Sequence, residues 1–221
     1  KCVLNNIHPE SGFYPVNKAS LLLFKNEMIN SMQNVDILGS WVKGENRFQE
    51  NLTQALICDL KFLEPYYHNN PWSRVLEGKN VLIIHPFVDT IKKQYRDKRD
   101  KLFLNEKTLP EFNAMFIKST FTTPSQNSIY QDWFHALDDL YNNALSFDFD
   151  IAIIGCGAYG FPLASKLKSR GKKCIHLGGS TQLLFGIKGH RWEHDLFFKS
   201  MFNKFWVYPS VDEKPIDFKK M

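Results

Sequence analysis

The sequence lacks the features of membrane, zinc-binding and disulfide-stabilised proteins. No apolar run in the 221 residues approaches the roughly 18 needed to cross a bilayer, and the N-terminus shows no signal-peptide pattern. The four cysteines form no C-x-x-C pair, which argues against a zinc site or a disulfide framework. We therefore expect no integral membrane segment and a reducing, cytoplasmic environment.

The charge balance also excludes a class of protein. A net charge of +5 is modest for this length and does not indicate a nucleic-acid-binding protein. The composition, with 43% hydrophobic and 14% aromatic residues, is typical of a globular protein with a sizeable core. The chain begins with Lys1 rather than Met, and we expect a single domain excised from a longer multidomain protein.

Helix-like and strand-like segments alternate along the chain, which predicts an α/β fold with a mainly parallel sheet. Strands are expected at residues 35–42, 80–87, 112–120, 151–154 and 173–178. Helices are expected at 17–30, 45–60, 90–104 and 129–145, and after the glycines at 155–160. Their apolar faces would carry Leu21, Leu22, Phe24 and Met28 in the first helix, Phe48, Leu52, Ala55, Leu56 and Leu60 in the second, and Ile129, Trp133, Leu137, Leu140 and Ala144 in the fourth.

A glycine pattern follows the fourth of these strands. Gly155, Gly157 and Gly160 spell G-x-G-x-x-G between an apolar strand and a helix, the context in which the pattern holds a phosphate. Glycine permits the tight turn and a close approach of the backbone, and the helix N-terminus adds free N–H groups. The alternative is a turn that only packs a strand against a helix.

An expected acid is missing downstream of the glycines. NAD-binding proteins carry an acidic residue about 20 residues on, which holds a ribose hydroxyl. Residues 151–192 contain no Asp or Glu, which weakens both an NAD and an S-adenosylmethionine interpretation.

The same segment instead contains seven Lys or Arg residues. Those between Lys166 and Lys173 fit the solvated end of a helix. Lys188 and Arg191 follow the next strand, where open α/β sheets bind ligands, and are candidates for phosphate contact.

Two stretches together resemble a known family. "FDIAIIGCGAYGFPLASKLKSRGKKCIHLGGSTQLLFGIKGHRW" (residues 147–192) and "EPYYHNNPWSRVLEGKNVLIIHPF" (residues 64–87) resemble an uncharacterised family found in bacterial polysaccharide gene clusters. More distantly, the layout is similar to GT-D-type glycosyltransferases. The resemblance implies a Rossmann-like, mainly parallel sheet with helices on both faces, an acceptor and catalytic half at about 1–125, and a nucleotide-binding half at about 126–221.

The GT-D signature D-G-E would fall on "VKGEN" at residues 42–46. Lys43 replaces the acid that GT-D enzymes associate with a divalent metal, and Glu45 matches. Asp36 is a substitute carboxylate in this interpretation. We assign no metal ligand, and a requirement for Mn or Mg is left open.

The resemblance implies transfer of a sugar, for example a deoxyhexose such as rhamnose, from a nucleotide-diphosphate donor to a growing glycan. Glu45 is the leading catalytic base, with His85 and Asp89 as alternatives; His85 equally fits a hydrogen-bonded structural residue. Tyr66, Tyr67, His68, Trp72 and Arg74 form a candidate acceptor or lid loop, and Trp41, Phe87, Tyr159 and Trp192 are candidate stacking partners. The expected nucleotide-sugar-binding residues are Gly155, Gly157, Ala158, Tyr159, Gly160, Gly178, Gly179, Gln182, Lys188 and Arg191.

Two other functions are also weighed against this one. The glycine pattern fits an NAD- or S-adenosylmethionine-dependent enzyme. Lys43 in the signature fits a non-catalytic nucleotide-sugar-binding module that works with other glycan-assembly domains.

Overall fold

The computed structural model describes residues 12–119 and 129–214. Within them the chain alternates strands, helices and short 3₁₀ turns. The strands are β1 Ile37–Ser40, β2 Leu56–Asp59, β3 Asn80–His85, β4 Asn113–Lys118, β5 Ile151–Ile154 and β6 Lys173–His176. The helices are α1 Lys18–Met32, α2 Val88–Leu102, α3 Trp133–Leu145, α4 Gly160–Lys168, α5 Ser180–Leu184 and α6 Leu196–Met201.

Four strands form a parallel sheet in the order β4-β3-β5-β6. The chain passes from β3 to β4 on one side and later returns to place β5 on the other side of β3. The strand order therefore reverses between β3 and β5, so that their carboxyl ends flank a topological switch point. This sheet combines strands from both of the halves that the sequence predicts.

Both faces of the four-stranded sheet are buried, because side chains alternate along each strand. Leu82 and Ile84 of β3 pack in one core with side chains of α3 and α4. Val81 and Ile83 pack in a second core with side chains of α2 and α5. The predicted α/β class, with parallel strands and helices on both faces, is confirmed at this level.

Helix α1 begins where the sequence predicts. The Asn17 side chain accepts a hydrogen bond from the Ser20 amide, while the Ser20 hydroxyl accepts one from the Asn17 amide, a reciprocal N-terminal cap. Phe24 packs against the ring of Trp133, with ring centroids 5.0 Å apart. The prediction that Leu22 lies on the apolar face is wrong, because this side chain is exposed to solvent.

The helix predicted for residues 45–60 is also wrong. Residues Glu45–Phe48 form one 3₁₀ turn, and β2 then pairs in parallel with β1 in a separate two-stranded sheet. Most of the apolar spacing does not face a core, since Leu56 is 66% exposed and Phe48 is also exposed, and only Leu52 of the predicted face is buried. Long-range backbone pairing with β1, which local spacing does not encode, decides the structure here.

The other predicted helices and strands are present, with shifts of one to a few residues at their ends. Helix α3 begins at Trp133, after Asp132 accepts a hydrogen bond from the His135 amide, and Ile129 lies before it and is exposed. Thr120, placed at the end of a strand by the sequence, lies outside the described residues. In the described ranges no helix combines the length and the apolar character that crossing a membrane requires.

Candidate functional site

The predicted phosphate turn lies at the carboxyl edge of the four-stranded sheet. Residues 155–160 follow β5, residues 85–87 are the last residue of β3 and the two after it, and residues 177–182 follow β6. We call these three segments together the strand-end site. Open α/β sheets bind ligands at this edge, beside the reversal of strand order.

The turn after β5 has an open part at Gly157. This residue is exposed and has a positive φ of 55°, a conformation that favours glycine. The amides of Gly157 and Ala158 donate to no carbonyl group of the described residues, and helix α4 begins two residues later. Two backbone donors therefore remain for a ligand at the tip of the turn.

Two other glycines of the motif serve packing. A Cβ atom on Gly155 would lie 2.5 Å from Thr181 Oγ1 and 2.7 Å from His85 Cδ2. A Cβ atom on Gly160 would overlap the ring of His176. At these two positions the structure explains glycine without a ligand, and their contact with a phosphate stays a prediction.

The segment after β6 supplies a second open glycine and a cation. Gly178 has a positive φ of 56°, and a Cβ atom there would meet nothing within 4 Å. The Arg191 guanidinium lies against Gly179, where a Cβ atom would overlap it, and stacks 4.0 Å from the ring centroid of Trp192. Partial desolvation among these neighbours lowers the pKa of Arg191, although the residue is exposed. Arg191 therefore holds a positive charge beside the open backbone.

Gln182 and Lys188 have local contacts of another kind. The buried Gln182 amide donates to the carbonyl oxygens of Ile187 and Lys188, at 3.3 and 3.0 Å, and so holds the loop after α5. The Lys188 ammonium lies over the rings of Phe202 and Tyr208, 5.5 and 5.8 Å from their centroids. Their expected contact with a nucleotide sugar stays a prediction.

His85 lies at the end of β3 and is buried. Its Nδ1 accepts a hydrogen bond of 2.9 Å from the Phe87 amide, which can only donate, so the neutral ring carries its proton on Nε2. Burial lowers the pKa of His85 to about 3. At neutral pH this imidazole is a hydrogen-bond donor, a role that its geometry favours over that of a base.

His176, at the end of β6, is a second neutral imidazole. Its Nδ1 lies 3.2 Å from the carbonyl oxygen of Ile154, which can only accept, so Nδ1 carries the proton. Burial lowers the pKa of His176 to about 4.

Asp89 lies in the first turn of α2 and is exposed. Its carboxylate accepts a hydrogen bond of 2.9 Å from Lys118, which lowers the pKa of Asp89. The N-terminus of α2 itself is occupied by Glu213, whose carboxylate accepts from the amides of Asp89 and Thr90 at 2.7 and 3.0 Å. Two of the free donors of that helix end are therefore satisfied within the chain.

Glu45 begins the 3₁₀ turn between β1 and β2. Its carboxylate accepts hydrogen bonds from the Ser40 hydroxyl and from the Val42 and Trp41 amides, the last two at 2.8 and 3.3 Å. The Ser40 hydroxyl and these amides lower the pKa of Glu45. A carboxylate stabilised in its charged form is a weak general base, and no hydrogen bond or ion pair among the described residues joins it to the strand-end site.

The metal interpretation does not fit these carboxylates. Both oxygens of Glu45 accept hydrogen bonds from the chain, and Asp36 forms an ion pair of 2.7 Å with Lys168. Across residues 12–119 and 129–214, no three His, Cys, Asp or Glu side chains are grouped closely enough to hold a metal ion. We derive no step through Mn or Mg.

Two of the expected stacking residues lie in the core. Tyr159 is 3% exposed and stacks on Trp133 with ring centroids 5.3 Å apart, and Phe87 is also buried. Both were expected to contact a base or sugar, and with their rings packed in the core this contact stays a prediction. Trp41 follows β1 and is exposed, and Trp192 stacks with Arg191.

The aromatic loop after β2 lines a surface groove of about 310 Å³. Its walls include the His68 ring, which stacks on Phe62 with centroids 5.8 Å apart, and the Trp72 indole, which donates to the Leu63 carbonyl. The predicted loop residues His68, Trp72 and Arg74 thus share one groove, and no residue of the strand-end site lines it.

Sequence analysis missed Glu64, which joins this loop to the strand-end site. Glu64 is 6% exposed, and its carboxylate accepts hydrogen bonds from the hydroxyls of Tyr66 and Ser180. Ser180 begins α5, directly after Gly178 and Gly179. No periodic or motif signal marks Glu64, because the contact crosses 116 residues of sequence.

Comparisons with protein-family models, with curated proteins and with solved structures find no match for this chain.

Proposed function

We propose that the strand-end site binds the diphosphate of a nucleotide sugar and that the chain is a glycosyltransferase with a Rossmann-like, GT-D-like fold. The observation that carries the proposal is the position of two open, positive-φ glycines, Gly157 and Gly178, at the carboxyl edge where the strand order reverses. The resemblance in residues 147–192 supports the choice of a sugar donor over other diphosphates.

The groups at this edge suit a departing diphosphate. In sugar transfer negative charge develops on the leaving diphosphate, and fixed donors that face it lower the barrier. The free amides of Gly157 and Ala158 and the guanidinium of Arg191 are such donors. His85 would add an Nε2–H donor that stays neutral at working pH, since its Nδ1 is occupied by the Phe87 amide.

The binding part of the proposal is tested by a matched pair of glycine variants. Gly178 and Gly171 both have a positive φ, of 56° and 79°, and both have open space around a Cβ atom. Gly171 lies in the turn between α4 and β6, at the opposite edge of the sheet. We expect Gly178→Ala and Gly171→Ala to lose similar stability, about 1–2 kcal/mol, while only Gly178→Ala loses ligand binding.

The measurement is the shift of the melting temperature with UDP, GDP, dTDP, NADH and S-adenosylmethionine, since a ligand that binds only the folded state raises it. Arg191→Gln should lose most of the nucleotide-diphosphate shift, while Arg170→Gln, an exposed arginine at the other end of α4, should keep it. A shift with NADH or S-adenosylmethionine alone would contradict the transferase proposal. Diphosphate binding without hydrolysis or transfer of any tested donor would favour the non-catalytic module.

A further inference from the structure

Glu64 is a buried carboxylate with one satisfied and one free oxygen. Its Oε1 accepts both the Tyr66 hydroxyl, at 3.0 Å, and the Ser180 hydroxyl. Its Oε2 has no hydrogen-bond partner within the described residues, and no Lys, Arg or His nitrogen there lies within 4.0 Å of the carboxylate. Oε2 is not one of the fully buried polar atoms that lack a partner, so it reaches solvent and is free to accept a hydrogen bond from a ligand.

The Tyr66 and Ser180 hydroxyls both donate to the Glu64 carboxylate and hold it in place. Burial, followed by the nearby Glu64 charge, raises the pKa of Tyr66, so that its phenol stays protonated and donates. Ser180 is the first residue of α5 and holds the carboxylate against the segment that contains Gly178 and Gly179. The Glu64 carboxylate is thus placed at the end of β6 by contacts on one oxygen only.

A carboxylate at this position has a known role in nucleotide-binding α/β sheets. The diphosphate lies at the glycine turn after one strand, and a carboxylate at the end of the next strand accepts the ribose hydroxyls. In this chain the glycine turn follows β5, and the next strand, β6, ends in His176, Leu177, Gly178 and Gly179 without an acid. Glu64 brings a carboxylate to that end from a different part of the chain.

We infer that Glu64 supplies the missing ribose-binding carboxylate, and that the strand-end site therefore selects ribonucleotides over deoxyribonucleotides. The inference rests on the proposed binding of a nucleoside diphosphate at this site. Oε2 accepts a ribose hydroxyl, while Tyr66 and Ser180 keep the carboxylate oriented. The site consequently prefers UDP or GDP donors to those built on dTDP.

The experiment is a titration by calorimetry with four nucleotides and one probe that has no ribose. UDP and GDP are compared with their 2′-deoxy counterparts, and inorganic pyrophosphate reports on the phosphate contacts alone. We expect the unaltered chain to bind the better ribonucleotide about tenfold more tightly than its deoxy form, the scale of one hydrogen bond to a charged group. Glu64→Gln should reduce this preference to about twofold, because a neutral amide is a weaker acceptor. It should not weaken pyrophosphate binding, because it removes a negative charge that interacts with Arg191.

The control is Glu77→Gln, the same chemical change at an exposed carboxylate that follows the Trp72–Leu76 turn. It should keep the full ribose preference. Equal affinities of the unaltered chain for ribo- and deoxyribonucleotides overturn the inference even if Glu64→Gln fails to fold. Retention of the preference in a folded Glu64→Gln variant overturns it as well.

Failure of the proposed function gives a different result. If neither nucleotides nor pyrophosphate bind the unaltered chain at millimolar concentration, the diphosphate site itself is refuted, and the ribose assignment falls with it. If pyrophosphate binds but the ribose preference is absent, only the role of Glu64 is refuted.

Discussion

The two parallel sheets of this chain differ in what stabilises them. Strands β3 and β5 of the four-stranded sheet are buried on both faces between helices. In the two-stranded sheet, Leu56 and Ile57 of β2 and Ile37 of β1 are exposed. Parallel strands normally lie between covering layers, so the first sheet is typical and the second is not. The comparison shows that backbone pairing places β1 and β2, whereas side-chain burial places β3 and β5.

The largest expected effect comes from replacing a leucine in each sheet with alanine. Leu82 of β3 is fully buried, and Leu56 of β2 is 66% exposed. We expect Leu82→Ala to lower the free energy of unfolding by about 2–5 kcal/mol, because it removes buried methyl groups and leaves a cavity. Leu56→Ala should change it by about 0.5 kcal/mol or less.

Urea unfolding monitored by circular dichroism measures both values. The two sheets are compared through the difference between the two losses in the free energy of unfolding, rather than through either loss alone. A loss at Leu56 as large as that at Leu82 would mean that a surface absent from the described residues covers β2.

The second test lowers the pH, which should destabilise the four-stranded sheet through its two buried histidines. Burial lowers the pKa of His85 to about 3 and that of His176 to about 4, against an ordinary value of 6.5. Both rings are neutral when folded and gain a proton when unfolded, so their stabilisation is complete above pH 6.5 and is lost as the pH falls toward these folded values. Near pH 5 the free energy of unfolding should be lower by about 2 kcal/mol for each ring.

Urea unfolding at pH 7.5 and 5 gives the loss, and the imidazole NMR signals of both residues should keep their neutral form throughout this range. Titration of either ring near pH 6.5 would contradict the burial on which the prediction depends. As the pH falls, amide hydrogen exchange should accelerate in β3 and β6 before the free energy of unfolding reaches its lowest value.

Burial also explains how much of the fold could be predicted from sequence. The apolar runs in β3 and β5 and the spacing in α3 have a core to face, and each is found where it is predicted except for the first turn expected in α3, at Ile129. Residues 45–60 have the same kind of spacing but bury only Leu52 of the predicted face, and the predicted helix there is wrong. Local pattern is informative when tertiary burial agrees with it.

The candidate site also has one part that could be predicted from the sequence and one that could not. The glycine turn after β5 is encoded locally, so the sequence predicts its position between a strand and a helix. The contact of Glu64 with Ser180 and that of Glu213 with Thr90 each join residues more than 100 positions apart. Neither has a local signal, and Glu45, which a family resemblance favours, is held within its own loop.

The smallest expected change in stability comes from comparing a carboxylate bonded to residues far away in sequence with one bonded to near neighbours. Glu213 is buried and accepts hydrogen bonds at the N-terminus of α2 from Asp89 and Thr90, whereas Glu45 accepts bonds from residues three to five positions away. Glu213→Ala should lower the free energy of unfolding by about 1–2 kcal/mol, as for loss of a helix cap. Glu45→Ala should cost less than Glu213→Ala, because its bonds form at the surface and join the 3₁₀ turn only to the adjacent end of β1.

The dependence on pH distinguishes the Glu45 effect from a change in packing. Hydrogen bonds lower the pKa of Glu45 below 4.5, so its stabilisation is present above that value and is lost as the pH falls through the lower folded value. The difference between the unaltered chain and Glu45→Gln should therefore be constant from pH 7 to 5 and disappear in stronger acid. Persistence of the difference at low pH would show that Glu45 stabilises the two-stranded sheet through packing rather than through its charge.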